Sequence, residues 1–439
     1  MTMSHKKINV MIFPAGSEIG LEINRSLKYL KGVNVYGCTS VEDASLFSYC
    51  ELYQLPFYNK DNFADELIAF IESKSIDVVF PAHDELTVIL TRLKKDNVIP
   101  SNVKVICSSY QTSIIARSKK KTYETLLNFI RVPQLYVDKA DMVKLLERDF
   151  LFLKPDVGQG SKGARVIKQY TDIPDDISSF VITEYLPGDE FTVDCFTDRH
   201  GKLRYVSARK RTKIVNGISS DSDMVSDEEI NLIARKINNV IEFRGMWFFQ
   251  LKKDKFGEYC LLEIAVRVSG GMGMQRINGI NLPLLAIYDF YNVDISFFCN
   301  NKKIKRISRL ESKYICDYKF DDVYVDLDDT LIINGLVNFE LLSLIYSWKQ
   351  YHNKRIHLIT RHVCVFNEPV HDCLIRLDIM PSLFKSIISL RPEELKSSYI
   401  KKEKCIFIDD STRERIDVSS NLSIPTYTSQ QVLEVYFAH

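Results

Sequence analysis

Near the end of the chain, carboxylates and a hydroxyl fall where apolar runs stop, with a lysine between them. Val323-Tyr-Val-Asp326-Leu-Asp328-Asp-Thr330 sets two carboxylates two residues apart just past a strand-like run. Open α/β sheets bind ligands at the carboxyl ends of their strands. A carboxylate there can attack phosphorus and become an acyl phosphate, and a second can protonate the leaving oxygen. Residues 356–359 run into Thr360, and residues 406–408 run into Asp409 and Asp410. This acid pair suits a hard cation such as Mg²⁺, with Mn²⁺ as the alternative. Lys396 lies upstream of the pair and can neutralise a phosphoryl group and its nucleophile. Arg391, Lys401, Lys402 and Lys404 are alternatives for that cation.

A second set lies in the middle of the chain. Lys154-Pro-Asp-Val-Gly158-Gln-Gly160-Ser161-Lys-Gly163 contains G-x-G-x-x-G. In a dinucleotide fold that loop opens a helix, but residues 164–170 read as a strand. A glycine-rich hairpin between strands can instead fold over phosphates with its backbone N–H groups, and Lys154 adds charge for them. Residues 182–190 supply a hinge: backbone near Glu184 to Leu186 for adenine, and Glu190 for ribose hydroxyls. Gln250 and Glu263 face the same way on two strands joined by a turn, which suits Mg²⁺ bridging phosphates. Arg267, four residues beyond Glu263, can stabilise charge on a transferred phosphoryl group.

The elements that position these residues follow from apolar patterning. Residues 8–13, 33–36, 77–80 and 103–106 read as strands alternating with helices at 18–30, 63–73 and 84–94, the pattern of a parallel sheet. Strand-like runs at 150–155, 164–169, 180–185, 190–197 and 202–207 are closely spaced and predict antiparallel pairing. A helix at 226–241 and strands at 245–252 and 259–266 follow. Alternation returns at 323–327 (strand), 338–351 (helix), 355–359 (strand), 367–377 (helix) and 405–408 (strand). The expected domains are 1–112, 113–305 and 319–439, in an α/β and α+β multidomain chain.

Composition bounds the function. The 439 residues carry 58 basic and 57 acidic side chains, a net charge of +1. That balance argues against nucleic acid as a partner. The ten cysteines form no CxxC pair and are expected as reduced thiols. No signal-peptide pattern and no apolar run of about 18 residues is evident, so the cytoplasm is the expected compartment and no membrane partner is expected.

The ordered set from Asp326 to Asp410 resembles the haloacid-dehalogenase-like (HAD) phosphatases over about residues 320–439. The resemblance implies a Rossmannoid domain. Asp326 would be nucleophile and Asp328 acid/base, and Thr360 and Lys396 would hold the phosphoryl group. Asp326, the Asp328 main chain, and Asp409 or Asp410 would hold Mg²⁺. Only 34 positions separate Asp326 from Thr360, and 36 separate Thr360 from Lys396. Neither gap holds a large cap domain, which implies an open site for a bulky substrate.

The middle set resembles the ATP-grasp superfamily, in the manner of carbamoyl-phosphate-synthase large-subunit-like ligases, over about residues 1–300. The resemblance implies ATP and Mg²⁺ as cofactors and a pre-ATP-grasp domain in the first 112 residues. Ser118-Lys119 sits where the family has an ATP-contacting lysine, with a solvated basic helix face through Lys121 as the alternative. Arg209, Lys210 and Arg211 sit where the family places cations near phosphates or the acid substrate. The chain departs from the family's Glu-x-Asn-x-Arg: it reads Glu263-Ile-Ala265-Val-Arg267. Alanine offers no oxygen to a metal.

The combined expectation is a bifunctional enzyme, a carboxylate–amine ligase acting through an acyl phosphate and a phosphatase acting through an aspartyl phosphate. The partners are a small carboxylate and an amine, in one version a phosphorylated amine; assembly as a homo-oligomer is left open. The alternative is a HAD phosphatase regulated by a catalytically weak ATP-binding module. Pro14-Ala-Gly16-Ser-Glu-Ile-Gly20 is expected only to close a turn, and His352, His357, His362 and His371 lack metal-ligand spacing.

Overall fold

Alternating apolar runs in the first hundred residues become a parallel sheet. Its strands are β1 (Ile8–Phe13), β2 (Val33–Thr39), β3 (Leu52–Gln54), β4 (Val78–Pro81) and β5 (Lys104–Val105), in the order β3-β2-β1-β4-β5. In the computed structural model, residues 7–437 are described except 159, 161, 216–217, 301–303 and 309–310. The chain divides into two units, 1–309 and 310–439.

The rest of the first unit is antiparallel. β6 (Leu151–Pro155), β7 (Arg165–Ile167) and β8 (Phe180–Glu184) form a small sheet with β6 central. β9 (Glu190–Thr197), β10 (Leu203–Val215), β11 (Ile218–Val225), β12 (Gly245–Lys253), β13 (Tyr259–Ala265) and β14 (Lys305–Arg306) form a larger one, in the order β13-β12-β9-β10-β11-β14. β10 runs well past residue 207, where the sequence pattern ends it, and β11 was not expected. The cause is charge: Arg209 to Lys213 lack the apolar alternation that marks a half-buried strand. One hydrophobic core joins Met11, Phe13 and Leu90 to Val193, Trp247 and Phe249, so the first 112 residues share packing with the sheet that follows.

The second unit is built on β16 (Asp322–Val325). β15 (Tyr314–Cys316) pairs apart with β23 (Val435–Phe437), and β17 (Ile332–Ile333) with β18 (Leu336–Val337). Asn334 and Gly335, at φ 51° and 75°, make the two-residue turn of that hairpin. The main sheet adds β19 (Arg355–Thr360), β20 (Ser386–Ser389), β21 (Cys405–Ile408) and β22 (Thr426–Tyr427), all parallel, in the order β20-β19-β16-β21-β22. Val323, Val325, Ile356, Leu358, Ile406 and Ile408 are almost fully buried, as expected of strands covered on both faces. Among the described residues six cysteines are buried thiols: Cys38, Cys107, Cys195 and Cys260 in the first unit, Cys373 and Cys405 in the second. Among the described residues no helix is long and apolar enough to cross a membrane.

Candidate functional site

Two adjoining cavities mark the first unit. The smaller, about 140 Å³, lies between the β6 sheet and strands β9, β12 and β13; Phe152, Lys154, Glu184, Leu186, Glu190 and Leu262 are among its walls. The larger, about 480 Å³, reaches Ser17 after β1 and Ala82, His83 and Asp84 after β4. Both are lined by Lys119, Gly158, Gly160, Lys162, Arg211, Gln250 and Glu263. Gln250 and Glu263 are register partners across β12 and β13, so two oxygen-bearing side chains stand side by side at the junction.

The lysines expected at phosphates are inside. Lys154 is buried; its Nζ donates to Tyr123 Oη at 2.7 Å and to the Leu262 carbonyl at 3.3 Å. Burial pushes its pKa down to about 8. Lys119 is also buried, its Nζ 3.3 Å from the Asp156 carbonyl, and burial lowers its pKa too. Its neighbour Lys120 turns outward to the Ser178 carbonyl. Asp156 fixes this corner by accepting from Ser118 Oγ and from the Lys120 backbone N–H.

The hinge and its acids are braced by cations. Glu184 accepts from Arg131 at 3.1 Å and from the Gln134 backbone N–H at 3.1 Å. Glu190 pairs with Arg211. Gly163 lines neither cavity; at φ 75° it makes the hairpin turn. Ser161 lies outside the described residues. Lys210 is a correction. Side chains alternate along a strand, so Arg209 and Arg211 line the larger cavity, while Lys210 points away to Asp189 at 2.6 Å.

Arg267 lines the larger cavity, held by a two-pronged ion pair: Nε and Nη2 each lie 2.6 Å from an oxygen of Asp84. Arg209 is fully buried against Asp194, and its Nη2 donates to Ser269 Oγ at 2.9 Å. Burial lowers its pKa against the pull of Asp194. Sequence reasoning missed three contributors here. Arg117 ties the glycine loop down through the Gly158 carbonyl at 2.9 Å. Ser269-Gly270-Gly271 closes over the site: a Cβ on Gly270 would lie 2.4 Å from Glu18 Oε2, and one on Gly271 2.6 Å from Arg209 Nε. Two adjacent glycines just past the Glu263 strand were the signal. The loop at Pro14–Gly20 closes its turn as expected, with Ser17 Oγ bonded to Gly20 N, Pro14 O and Ala82 O. It also forms part of the cavity wall through Ser17, Glu18 and Ile19.

In the second unit, Asp326 follows β16 and Asp409 follows β21, the pair of strands at which the sheet order reverses. Lys396 stands between them, its Nζ 2.6 Å from Asp326 Oδ1 and 2.6 Å from Asp409 Oδ2. All three are buried. Burial pushes both carboxyls up, Asp326 also through repulsion by Asp409 and Asp409 through repulsion by Asp410, while Lys396 pulls them down; Lys396 itself is raised. Asp326, Asp409 and Asp410 each bring an oxygen within 4.8 Å of the others, a donor set that fits a divalent cation. Thr360 Oγ1 lies 3.4 Å from Asp328 Oδ2. Thr330 Oγ1 accepts from the Asp410 backbone N–H at 2.9 Å, tying the two acidic strand ends together. Of the alternatives to Lys396, Lys401 pairs with Asp322 at the opposite end of β16.

Comparison with known proteins bears on the first unit. A family described as "ATP-grasp in the biosynthetic pathway with Ter operon" matches residues 176–312. The biotin carboxylase of Campylobacter jejuni, solved as a βγ-ATP complex, is similar with TM-score 0.55 and 17% identity, over 66% of this chain and 72% of that one. The N5-carboxyaminoimidazole synthetase of Staphylococcus aureus, solved with ADP, gives 0.55 and 16%, over 68% and 82%. The first unit has the ATP-grasp fold. The biotin carboxylase domain of the Hydrogenobacter thermophilus 2-oxoglutarate carboxylase, solved with MgADP and bicarbonate, gives 0.56 and 11%, over 66% and 71%. No curated protein matches the chain.

Proposed function

We propose that the ATP-grasp unit is an ATP- and Mg²⁺-dependent carboxylate–amine ligase and that the second unit is a HAD-like phosphatase. The observation that carries the ligase reading is the Gln250–Glu263 pair at the junction of the two cavities. Adenine would occupy the smaller cavity beside Leu186, and Lys154 and Lys119 would meet the phosphates. Mg²⁺, held by Gln250 and Glu263, would offset the charge of the triphosphate. The larger cavity would hold the carboxylate, beside Arg209, Arg211, Arg267 and Arg306. The γ-phosphoryl group passes to the carboxylate, giving ADP and an acyl phosphate. An amine then attacks the acyl carbon and releases phosphate as the amide forms. One version has an amine that carries a phosphate ester, which the second unit then removes.

In the second unit Asp326 would attack phosphorus, Asp328 would serve as acid and base, and Thr360 and Lys396 would hold the phosphoryl group. Incubating the protein with ATP, Mg²⁺ and pooled acids and amines tests the ligase; acid-dependent ADP release is expected, and its absence sinks that half. A second reading rests on Ala265, which lines the larger cavity where an oxygen ligand is expected. There the first unit binds ATP to regulate the phosphatase. Calorimetry separates the two, since regulation predicts ATP binding without turnover and ligation predicts both.

A further inference from the structure

His362 is a buried side chain that this phosphatase chemistry leaves unused. It follows Thr360 by two residues, opens the helix His362–Phe366, and is 3% exposed. Its Nδ1 lies 2.8 Å from Asp328 Oδ1 and its Nε2 3.3 Å from Glu368 Oε2. Glu368 is gripped in turn by Arg376, Nε to Oε1 at 3.0 Å and Nη2 to Oε2 at 2.8 Å. The Phe366 ring packs on the imidazole at 5.0 Å between centroids. His362, Glu368 and Cys373 are close enough to suggest a metal cluster. Arg376 already supplies the positive charge there, 3.5 Å from Cys373 Sγ, so the arrangement is better read as a brace.

The brace makes the two oxygens of Asp328 unequal. Oδ1 is taken by the imidazole. Oδ2 faces Thr360 Oγ1, the hydroxyl assigned to the phosphoryl group. A general acid must carry its proton on the oxygen that faces the leaving group. Resting on the phosphatase reading, we propose that His362 is a positioning residue that holds Asp328 Oδ1 so that Oδ2 handles the proton. As a carboxylate oxygen of Asp326 bonds to phosphorus, the phosphorus–ester oxygen bond breaks and the leaving oxygen takes the proton from Oδ2. Water then attacks phosphorus and gives its proton to Oδ2. The aspartyl–phosphorus bond breaks, freeing phosphate and the Asp326 carboxylate.

The test compares leaving groups on full-length protein with Mg²⁺. 4-Nitrophenyl phosphate leaves with little need of a proton; an alkyl phosphate needs one. His362→Ala is expected to lower kcat/KM, which reports the transfer to Asp326 and not the hydrolysis both esters share, by about 100-fold on the alkyl ester and by less than about tenfold on the aryl ester. His362→Asn, whose amide N–H can stand in for Nδ1–H, is expected to restore most of the alkyl rate. Equal losses on both esters in a folded Ala variant overturn the proposal, as does an Asn variant no better than Ala. If the Ala variant does not fold, Glu368→Ala, which frees the far side of the ring, carries the same comparison: a selective loss supports the proposal and an equal loss overturns it. Failure of the wild-type protein to hydrolyse either ester overturns the phosphatase reading itself, and the inference with it.

Discussion

The chain contains two five-stranded parallel sheets with the same strand order, β3-β2-β1-β4-β5 and β20-β19-β16-β21-β22. In both, the crevice lies where the order reverses, past the central strand and its neighbour on the side of the later strands. In the first sheet Ser17 caps a helix and bonds to the carbonyls of Pro14 and Ala82, and the acid past β4, Asp84, is taken up by Arg267. In the second the crevice holds Asp326 and Asp409 with Lys396 between them. Topology sets where a ligand can sit; the residues at two strand ends decide whether the place is a wall or a reaction centre. The first sheet forms one side of a cavity whose cations come mostly from the ATP-grasp sheet, while the second is proposed to do its chemistry alone.

That contrast can be broken by substitution, from the largest expected effect to the smallest. Asp326→Asn removes the proposed nucleophile, and phosphate release from an aryl phosphate should fall by roughly 10⁴-fold or more. Lys396→Met leaves two buried carboxylates face to face, and urea unfolding followed in the second unit should show a loss of about 3–5 kcal/mol. Glu263→Ala removes an oxygen at the cavity junction; acid-dependent ADP release should drop by about 10²–10³-fold, with little change in phosphate-ester hydrolysis. Ser17→Ala deletes a helix cap at the first crevice and should cost only about 1 kcal/mol by the same unfolding measurement. A Ser17 effect as large as that of Lys396 would erase the distinction between the two crevices.

A pH titration sharpens the comparison at the other end of β16. Arg355, His357 and Lys401 surround Asp322 and hold its carboxyl well below the usual carboxylate range. A depressed folded pKa gives stability that is complete above the unfolded value, near 4. That stability is lost as pH falls through the folded value. Unfolding measured at descending pH should therefore show an acid limb for the second unit, and Asp322→Asn should flatten it.

Much of this was legible in the sequence. Apolar runs that end in acids located Asp326, Asp328 and Asp409, because a buried parallel strand must be apolar and its end need not be. Glu263 and Gln250 could be placed on neighbouring strands from the short turn, but a register shift between Gln250 and Leu251 sets them opposite each other, and no sequence pattern shows it. Less visible was the β10–β11 hairpin, whose inward residues are charged: Arg209 and Arg211 line a cavity instead of an apolar core, so alternation of hydrophobicity could not reveal the strand or exclude Lys210. The partners of Arg267 and Asp328 were also hidden. Asp84 lies 183 residues from Arg267 and His362 lies 34 from Asp328, and no local pattern connects them.

The buried thiols carry a consequence of their own. Burial pushes Cys107 and Cys260 in the first unit up to about 12, and Cys405 in the second up to about 11. A thiol that is both covered and protonated reacts with an alkylating agent only when its surroundings open. With such cysteines in both units, timed alkylation followed by peptide mass spectrometry gives separate opening rates for the two halves of one molecule, without a tag or an assay for either reaction.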